Sequence, residues 1–187
     1  HFHYFRNPDT ANRLLEALTQ KEPHSSFHPL EHRLSEITDE HYDKRALDMD
    51  RPVVYVLPGT MGSHLKVGND RVWLDKWDLA LGGLKKLKLT AKNNVVAEKP
   101  IGSGYKELMR YLSHSHQVIP FPYDWRLSLT DSADVLRRSL ETTLDTLPLE
   151  QPVRIVAHSM GGLGVRVMIA TDKGKKVWDR ECQRAGA

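Results

Sequence analysis

A mainly apolar run at residues 153–157 leads through a serine-containing turn directly into a helical pattern. The run, Val-Arg-Ile-Val-Ala, is rich in β-branched residues and favours a buried strand. The turn reads Ala-His-Ser-Met-Gly, and residues 163–170 continue with helical spacing. A tight strand-to-helix turn leaves room only for small side chains two positions before and two positions after its central residue. Ala157 and Gly161 occupy these positions around Ser159. The segment therefore predicts a strand, a sharp turn with Ser159 at its apex, and a helix.

Upstream of this segment, short apolar runs alternate with helical patterns from residue 52 onward, which is typical of parallel βαβ construction. Strands are predicted at 53–57, 117–121 and 153–157, with Pro120 placing the end of the second in a loop. Two helices are predicted between them from apolar spacing, one through Tyr105, Leu108, Met109 and Leu112, the other through Val135, Leu136, Leu140, Leu144 and Leu147. We expect Asp131 or Thr130 to cap the second helix and Pro148 to end it.

Two segments depart from this plan. Residues 1–50 are polar and rich in histidine, and we interpret them as an N-terminal extension that precedes a folded domain at 51–187. The extension predicts one helix from Pro8 to Gln20, capped by Asn7, and another from Pro29 to Ile37. Residues 65–99 alternate apolar and polar residues, so a small antiparallel insertion is predicted there.

Ser159 suggests nucleophilic chemistry, because a serine hydroxyl needs a positioned base and donors aimed at the oxyanion that forms on attack. The loop after the first strand, residues 58–63 (Pro-Gly-Thr-Met-Gly-Ser), has two glycines that allow close approach of its backbone to a substrate. We expect the N–H of Met160 and that of Thr60, or of Met61 if the register differs by one, to bind the oxyanion. His158 is expected to pack rather than act as the base. Structural alternatives are a helix-capping role for Ser159 and a plain turn at 58–63.

Four blocks of this sequence together resemble the lecithin:cholesterol acyltransferase family. They are Pro-Gly-Thr-Met-Gly-Ser at 58–63, Arg-Val-Trp-Leu at 71–74, Phe-Pro-Tyr-Asp-Trp-Arg at 121–126 and Ala-His-Ser-Met-Gly-Gly at 157–162. The resemblance implies an α/β-hydrolase fold with a parallel βαβ core, and acyl-ester chemistry on lipids as a phospholipase, lipase or acyltransferase. It also implies that Ser159 is the nucleophile and that Thr60 and Met160 form the oxyanion hole.

The resemblance leaves two features of this chain to be interpreted. Animal members of the family carry a disulfide-closed membrane-binding loop after the first strand, whereas this chain has no cysteine there. Peripheral contact with an anionic membrane could instead involve Trp73, Trp77, Lys85, Lys86, Lys88 and Lys92, although these lysines could equally protect a solvated strand edge. Asp124 and Arg126 are expected to brace the oxyanion loop, the alternative being an ordinary surface pair.

The acid and base of a catalytic triad are not evident after Ser159. In α/β-hydrolases the order is serine, acid, histidine, yet residues 160–187 contain Asp172, Asp179 and Glu181 and no histidine. An earlier base, His64, His114 or His116, would break that order. We therefore expect an N-terminal portion of a larger hydrolase domain, cut before its later strands and inactive without the remainder.

Composition excludes several other classes of function. The formal net charge of +3 is too small to predict nucleic-acid binding, and the single cysteine, Cys182, excludes an internal disulfide and favours a cytoplasmic location. No cofactor is predicted, and no metal, because no cysteine or carboxylate pattern completes a site among the histidines. The leading hypothesis is a serine hydrolase or acyltransferase acting on lipid acyl esters. The alternative is a catalytically silent α/β-hydrolase-like interaction domain.

Overall fold

The computed structural model describes residues 7–19, 51–68, 70–73, 87–88 and 94–184. The elements in chain order are α1 (Pro8–Thr19), β1 (Val53–Leu57), β2 (Ser63–Val67), β3 (Asp70–Trp73), β4 (Val95–Pro100), α2 (Gly102–Leu112), β5 (Gln117–Pro120), α3 (Leu129–Thr146), β6 (Val153–Ala157), α4 (Met160–Ala170) and α5 (Asp172–Arg184).

Strand β1 is the centre of a parallel sheet with the order β5-β1-β6. All five of its residues are buried, since helices cover both faces. Tyr55 and its neighbours two positions away face a core built with α3, α4 and α5. Val54 and Val56 face a second core built with α2. This alternation follows from the two-residue period of a strand, and the result is the α/β architecture that the sequence predicts.

The predicted elements of the sheet region are largely confirmed. Strands 53–57 and 153–157 have the predicted bounds, while β5 ends at Pro120 rather than Phe121. Helix α3 buries its predicted apolar stripe, but Val135 is wrong as a core residue, because it lies beside that stripe and is 47% exposed. The predicted caps of α3 are also wrong: the helix begins earlier, and the Ser128 side chain accepts the N–H of Asp131.

The predicted antiparallel insertion is confirmed as a second sheet with the order β3-β2-β4. This sheet connects β1 to α2 and spans residues 63–100 of the chain, slightly more than the predicted 65–99. The alternating segment 84–90, on which the prediction partly depends, lies outside the described residues except at 87–88.

The first helix of the N-terminal part is confirmed over Pro8–Thr19, and Gln20, its predicted last residue, lies outside the described residues. Its cap is Asn7, whose side-chain oxygen accepts the N–H of Asp9 at 2.9 Å. The helix packs on α2, where the Tyr111 hydroxyl donates to the Asn12 side chain. Residues 8–19 therefore contact the domain they precede. The predicted helix at 29–37 lies outside the described residues.

No helix in the described ranges has both the length and the apolar content needed to cross a bilayer.

Candidate active site

Ser159 lies at the apex of a sharp turn between β6 and α4. Its φ is 53° and its ψ is −121°, a conformation that costs a non-glycine residue about 1–3 kcal/mol. Surrounding hydrogen bonds hold the turn, including one from the His158 N–H to the Leu57 carbonyl at 3.0 Å. The Ser159 side chain is exposed and makes no capping hydrogen bond, although the residue occupies the N-cap position. The capping alternative is therefore wrong, and the residue is open to solvent.

Gly161 allows this turn to lie directly on β1. A Cβ placed at Gly161 would stand 2.6 Å from the Pro58 carbonyl oxygen and 3.0 Å from the Leu57 Cβ. At the next position, Gly162, an added Cβ would meet nothing within 4 Å. The sequence pattern predicts a small residue two positions after the serine, and the close contact with the Pro58 backbone is the physical reason for it.

The 58–63 loop also packs against the serine turn at Gly59. A Cβ added at Gly59 would come within 3.0 Å of both the His158 Nδ1 and the Ser159 Cβ. The loop closes on itself through the Gly62 N–H, which donates to the Gly59 carbonyl at 2.9 Å. Met61 has a φ of 59°, in the left-handed region. The plain-turn alternative does not fit a loop so tightly packed on Ser159.

Two backbone N–H groups beside Ser159 remain available as donors. Within the part of the chain that the structure describes, neither Thr60 nor Met160 donates its N–H to another group. The two residues are in contact, since the Thr60 hydroxyl donates to the Met160 sulfur at 3.4 Å. Met160 is also the first residue of α4, where the helix dipole and the unsatisfied N–H groups favour an anion.

The loop is anchored by aromatic residues from two other segments. The Tyr123 hydroxyl donates to the Pro58 carbonyl at 2.9 Å, and the Trp73 indole N–H donates to the Met61 carbonyl at 3.0 Å. Trp73 also packs edge-on against Trp125, with ring centroids 5.2 Å apart. Trp73 therefore holds the loop, and its predicted lipid contact stays a prediction. Lys88 is exposed, while Trp77, Lys85, Lys86 and Lys92 lie outside the described residues.

Asp124 and Arg126 form an ion pair whose side chains are each 9% exposed, so the surface alternative is wrong. Arg126 Nε donates to Asp124 Oδ1 at 2.8 Å, and Arg126 Nη1 donates to the Leu87 carbonyl at 2.8 Å. Within the described ranges neither side chain bonds to the 58–63 loop. The predicted bracing is corrected accordingly: Tyr123, which directly precedes the pair, and Trp125, which lies between its two members, contact that loop and its end at Ser63.

His158 is engaged by Tyr105 rather than by the serine. The Tyr105 hydroxyl lies 2.8 Å from His158 Nδ1, and it also accepts the N–H of Gly59 at 2.8 Å. Burial lowers the pKa of His158 and raises that of Tyr105, so both groups are neutral near pH 7. The sequence signals Tyr105 only as an apolar position of a helix, so its polar role could not be found there.

The described residues do not supply Ser159 with a base. His64 Nδ1 bonds the Trp73 carbonyl, and His116 Nδ1 bonds the Ser115 hydroxyl. Of the acidic residues after the serine, Asp179 pairs with Lys175, and Glu181 accepts the Val153 N–H at 2.6 Å, at the far end of β6. Among the residues described, no three His, Cys, Asp or Glu side chains come together as a metal site.

The parallel sheet and the serine turn define an α/β protein with an exposed serine at the C-terminal end of a strand, where sites in such folds lie. The model of the lecithin:cholesterol acyltransferase family matches residues 104–182, which include the serine turn and the block at 121–126. This match supports an assignment to a family like lecithin:cholesterol acyltransferase, as the sequence resemblance predicts.

A more particular similarity is to the uncharacterized protein YJR098C of Saccharomyces cerevisiae, which is 29% identical over 127 residues. The alignment covers 59% of this chain and 19% of the yeast protein, so the chain spans less than a fifth of that relative. No solved structure matches the chain.

Proposed function

We propose that the chain carries the nucleophile and oxyanion hole of a serine hydrolase or acyltransferase that acts on lipid acyl esters, within an α/β-hydrolase fold. The family match suggests lipid acyltransferase or hydrolase chemistry in general. The observation that supports the finer proposal is the Ser159 backbone, held at φ 53° beside the unused N–H groups of Thr60 and Met160.

The proposed reaction follows from this arrangement. The Ser159 oxygen attacks the acyl carbonyl carbon while a base takes its proton, and the carbonyl oxygen becomes an oxyanion held by the N–H groups of Thr60 and Met160. The ester C–O bond then breaks, the leaving alcohol takes the proton, and an acyl-enzyme remains on Ser159. Water or another alcohol attacks the acyl-enzyme, which gives hydrolysis or transfer.

We propose that the acid and base come from segments other than the described residues. In α/β-hydrolases both follow the nucleophile in the chain, and none of the described histidines bonds to Ser159. The yeast relative is far longer than the aligned region, which is consistent with further segments in proteins of this kind.

A catalytically silent interaction domain is the second candidate, and the observation that favours it is the same lack of a base in the described residues. Labelling of the full-length protein with a fluorophosphonate probe separates the two. We expect the wild-type protein to be labelled, and we expect Ser159→Ala to reduce the labelling rate by at least about 10³-fold. Ser103→Ala, at an exposed serine of α2, is the control and should leave the labelling rate unchanged.

Two results would contradict the enzyme proposal. An unlabelled full-length wild-type protein would support the silent domain instead. Labelling that survives in Ser159→Ala would place the reactive serine elsewhere.

A further inference from the structure

The Tyr105 hydroxyl joins two backbone segments that are far apart in the chain. Tyr105 lies on α2 and is 3% exposed. Its oxygen accepts the Gly59 N–H of the 58–63 loop and pairs with His158 Nδ1 of the serine turn, both at 2.8 Å. A Cβ added at Gly62 would also meet this hydroxyl at 3.0 Å, so the loop folds around the hydroxyl.

The Tyr105 hydroxyl has one proton to donate and lone pairs to accept, so it can bond both partners at once. Gly59 can only donate, so the hydroxyl accepts from it, while the direction of the bond with His158 Nδ1 follows the tautomer of the histidine. Gly59 has no N–H left for an oxyanion, and the available donors of the loop are those that follow it.

We propose that Tyr105 is a positioning residue that fixes the spacing between the two halves of the oxyanion hole, the Thr60 N–H on the loop and the Met160 N–H on the serine turn. Thr60 directly follows Gly59 on the loop, and Met160 lies two positions after His158 on the turn. This inference rests on the proposed acyl chemistry. It adds a residue that contacts neither the substrate nor the reacting atoms.

The expected consequence is catalytic rather than structural. Donors must lie within about 0.5 Å of their productive positions to stabilise a transition state, and loss of one oxyanion donor costs about 10²–10³-fold in kcat. Without the hydroxyl the loop keeps its aromatic anchors and the contact of the Thr60 hydroxyl with the Met160 sulfur, but it loses the link to the turn that runs through Tyr105. We therefore expect Tyr105→Phe to lower kcat by about 10–100-fold and to leave KM within about twofold.

Tyr55→Phe is the matched control, because it also removes a buried tyrosine hydroxyl. That hydroxyl bonds the side chains of Ser139 and Thr143 on α3, away from the 58–63 loop. Full-length variants are compared with p-nitrophenyl butyrate for kcat and KM and by thermal unfolding for stability. We expect similar losses in Tm for both variants and a loss in kcat for Tyr105→Phe alone. Equal kcat for the two variants would overturn the inference.

His158 provides a conservative rescue. In His158→Asn the side-chain amide can replace Nδ1 as the hydrogen-bonding partner of the Tyr105 hydroxyl, because an amide both donates and accepts, whereas His158→Leu offers no such partner. We expect near wild-type kcat for the asparagine variant and a loss like that of Tyr105→Phe for the leucine variant. Combining the leucine change with Tyr105→Phe should add little, because both remove one contact. Equal activity of the asparagine and leucine variants, or full additivity, would overturn the inference.

Amide hydrogen exchange distinguishes failure of this inference from failure of the proposed function. Tyr105→Phe should accelerate exchange of the Gly59 N–H at least tenfold and leave exchange in α3 unchanged, in the Ser159→Ala background as well. An unchanged Gly59 rate would refute the contact whatever the activity. If Tyr105→Phe changes the Gly59 exchange rate but the wild-type protein takes up no fluorophosphonate, the contact is supported. Its catalytic role and the proposed function are then both overturned.

Discussion

Replacing Gly161 by alanine tests the contact between the serine turn and β1. The new Cβ would lie 2.6 Å from the Pro58 carbonyl oxygen, about 0.8 Å short of the 3.4 Å at which ordinary contact begins. It would also stand 3.1 Å from the Leu57 carbonyl oxygen. The obstructing atoms belong to backbone, so they cannot rotate away, and either the 58–63 loop or the turn must move.

The magnitude follows from two opposing contributions. Overpacking of a well-packed site costs about 1–3 kcal/mol, and alanine returns up to about 1 kcal/mol of helix propensity relative to glycine. We expect Gly161→Ala to lower the free energy of unfolding by about 1–2 kcal/mol. Gly162→Ala is the control: it gains the same propensity and meets nothing within 4 Å, so it should raise stability by about 0.5 kcal/mol.

Urea denaturation followed by circular dichroism measures both variants, with linear extrapolation of the free energy of unfolding. Thermal unfolding provides a second measure, at about 2–4 °C per kcal/mol for a chain of this size. Because the displaced Pro58 carbonyl precedes the proposed oxyanion donor Thr60, Gly161→Ala should also slow fluorophosphonate labelling. A Gly161→Ala protein as stable as Gly162→Ala would refute the crowding argument.

Three further substitutions test other parts of the structure. Asp124→Ala leaves Arg126 buried without its carboxylate and should cost about 3 kcal/mol in urea denaturation; a loss below about 1 kcal/mol would show that the pair is effectively solvated. Ser128→Ala removes the cap of α3 and should cost about 1 kcal/mol in thermal unfolding. Burial lowers the pKa of His116, which is 2% exposed. The unfolded chain therefore binds the proton at a higher pH than the folded protein does, so the free energy of unfolding should fall as the pH drops below about 6.5. His116→Asn should reduce that fall in denaturation curves at pH 7 and pH 5, and an unaltered pH dependence would contradict the assignment.

Much of the sheet region could be predicted, because each of its signals is local. A β-branched run bounded by turns marks β1 and β6, and the spacing of leucines marks the buried stripe of α3. The failures at Val135 and at the cap of α3 share a cause. For the cap, a shift of one or two residues in the start of a helix changes which residue caps it. For Val135, consecutive helix residues differ by only about 100° in direction, so a residue beside the buried stripe is easily taken as part of it.

The site could be predicted only in part. Ser159 and the 58–63 loop were evident as motifs, whereas Tyr105 was not, because its hydroxyl becomes a hydrogen-bonding partner only when α2 lies beside both segments. The position of Asp124 and Arg126, in a loop after a strand on the side of the sheet where sites lie, predicts that they brace the oxyanion loop, yet their aromatic neighbours make those contacts.

The sequence by itself determined that residues 153–170 form a strand, a tight turn at Ser159 and a helix, since propensity, periodicity and the need for small residues operate within a few positions. Tertiary structure alone decided which groups face Ser159. The parallel pairing of β1 with β6 brings residues about a hundred positions apart into contact, and it leaves the N–H groups of Thr60 and Met160 unused while Tyr105 takes that of Gly59. Which N–H groups remain available depends on every acceptor that packs around them, and no local pattern carries that information.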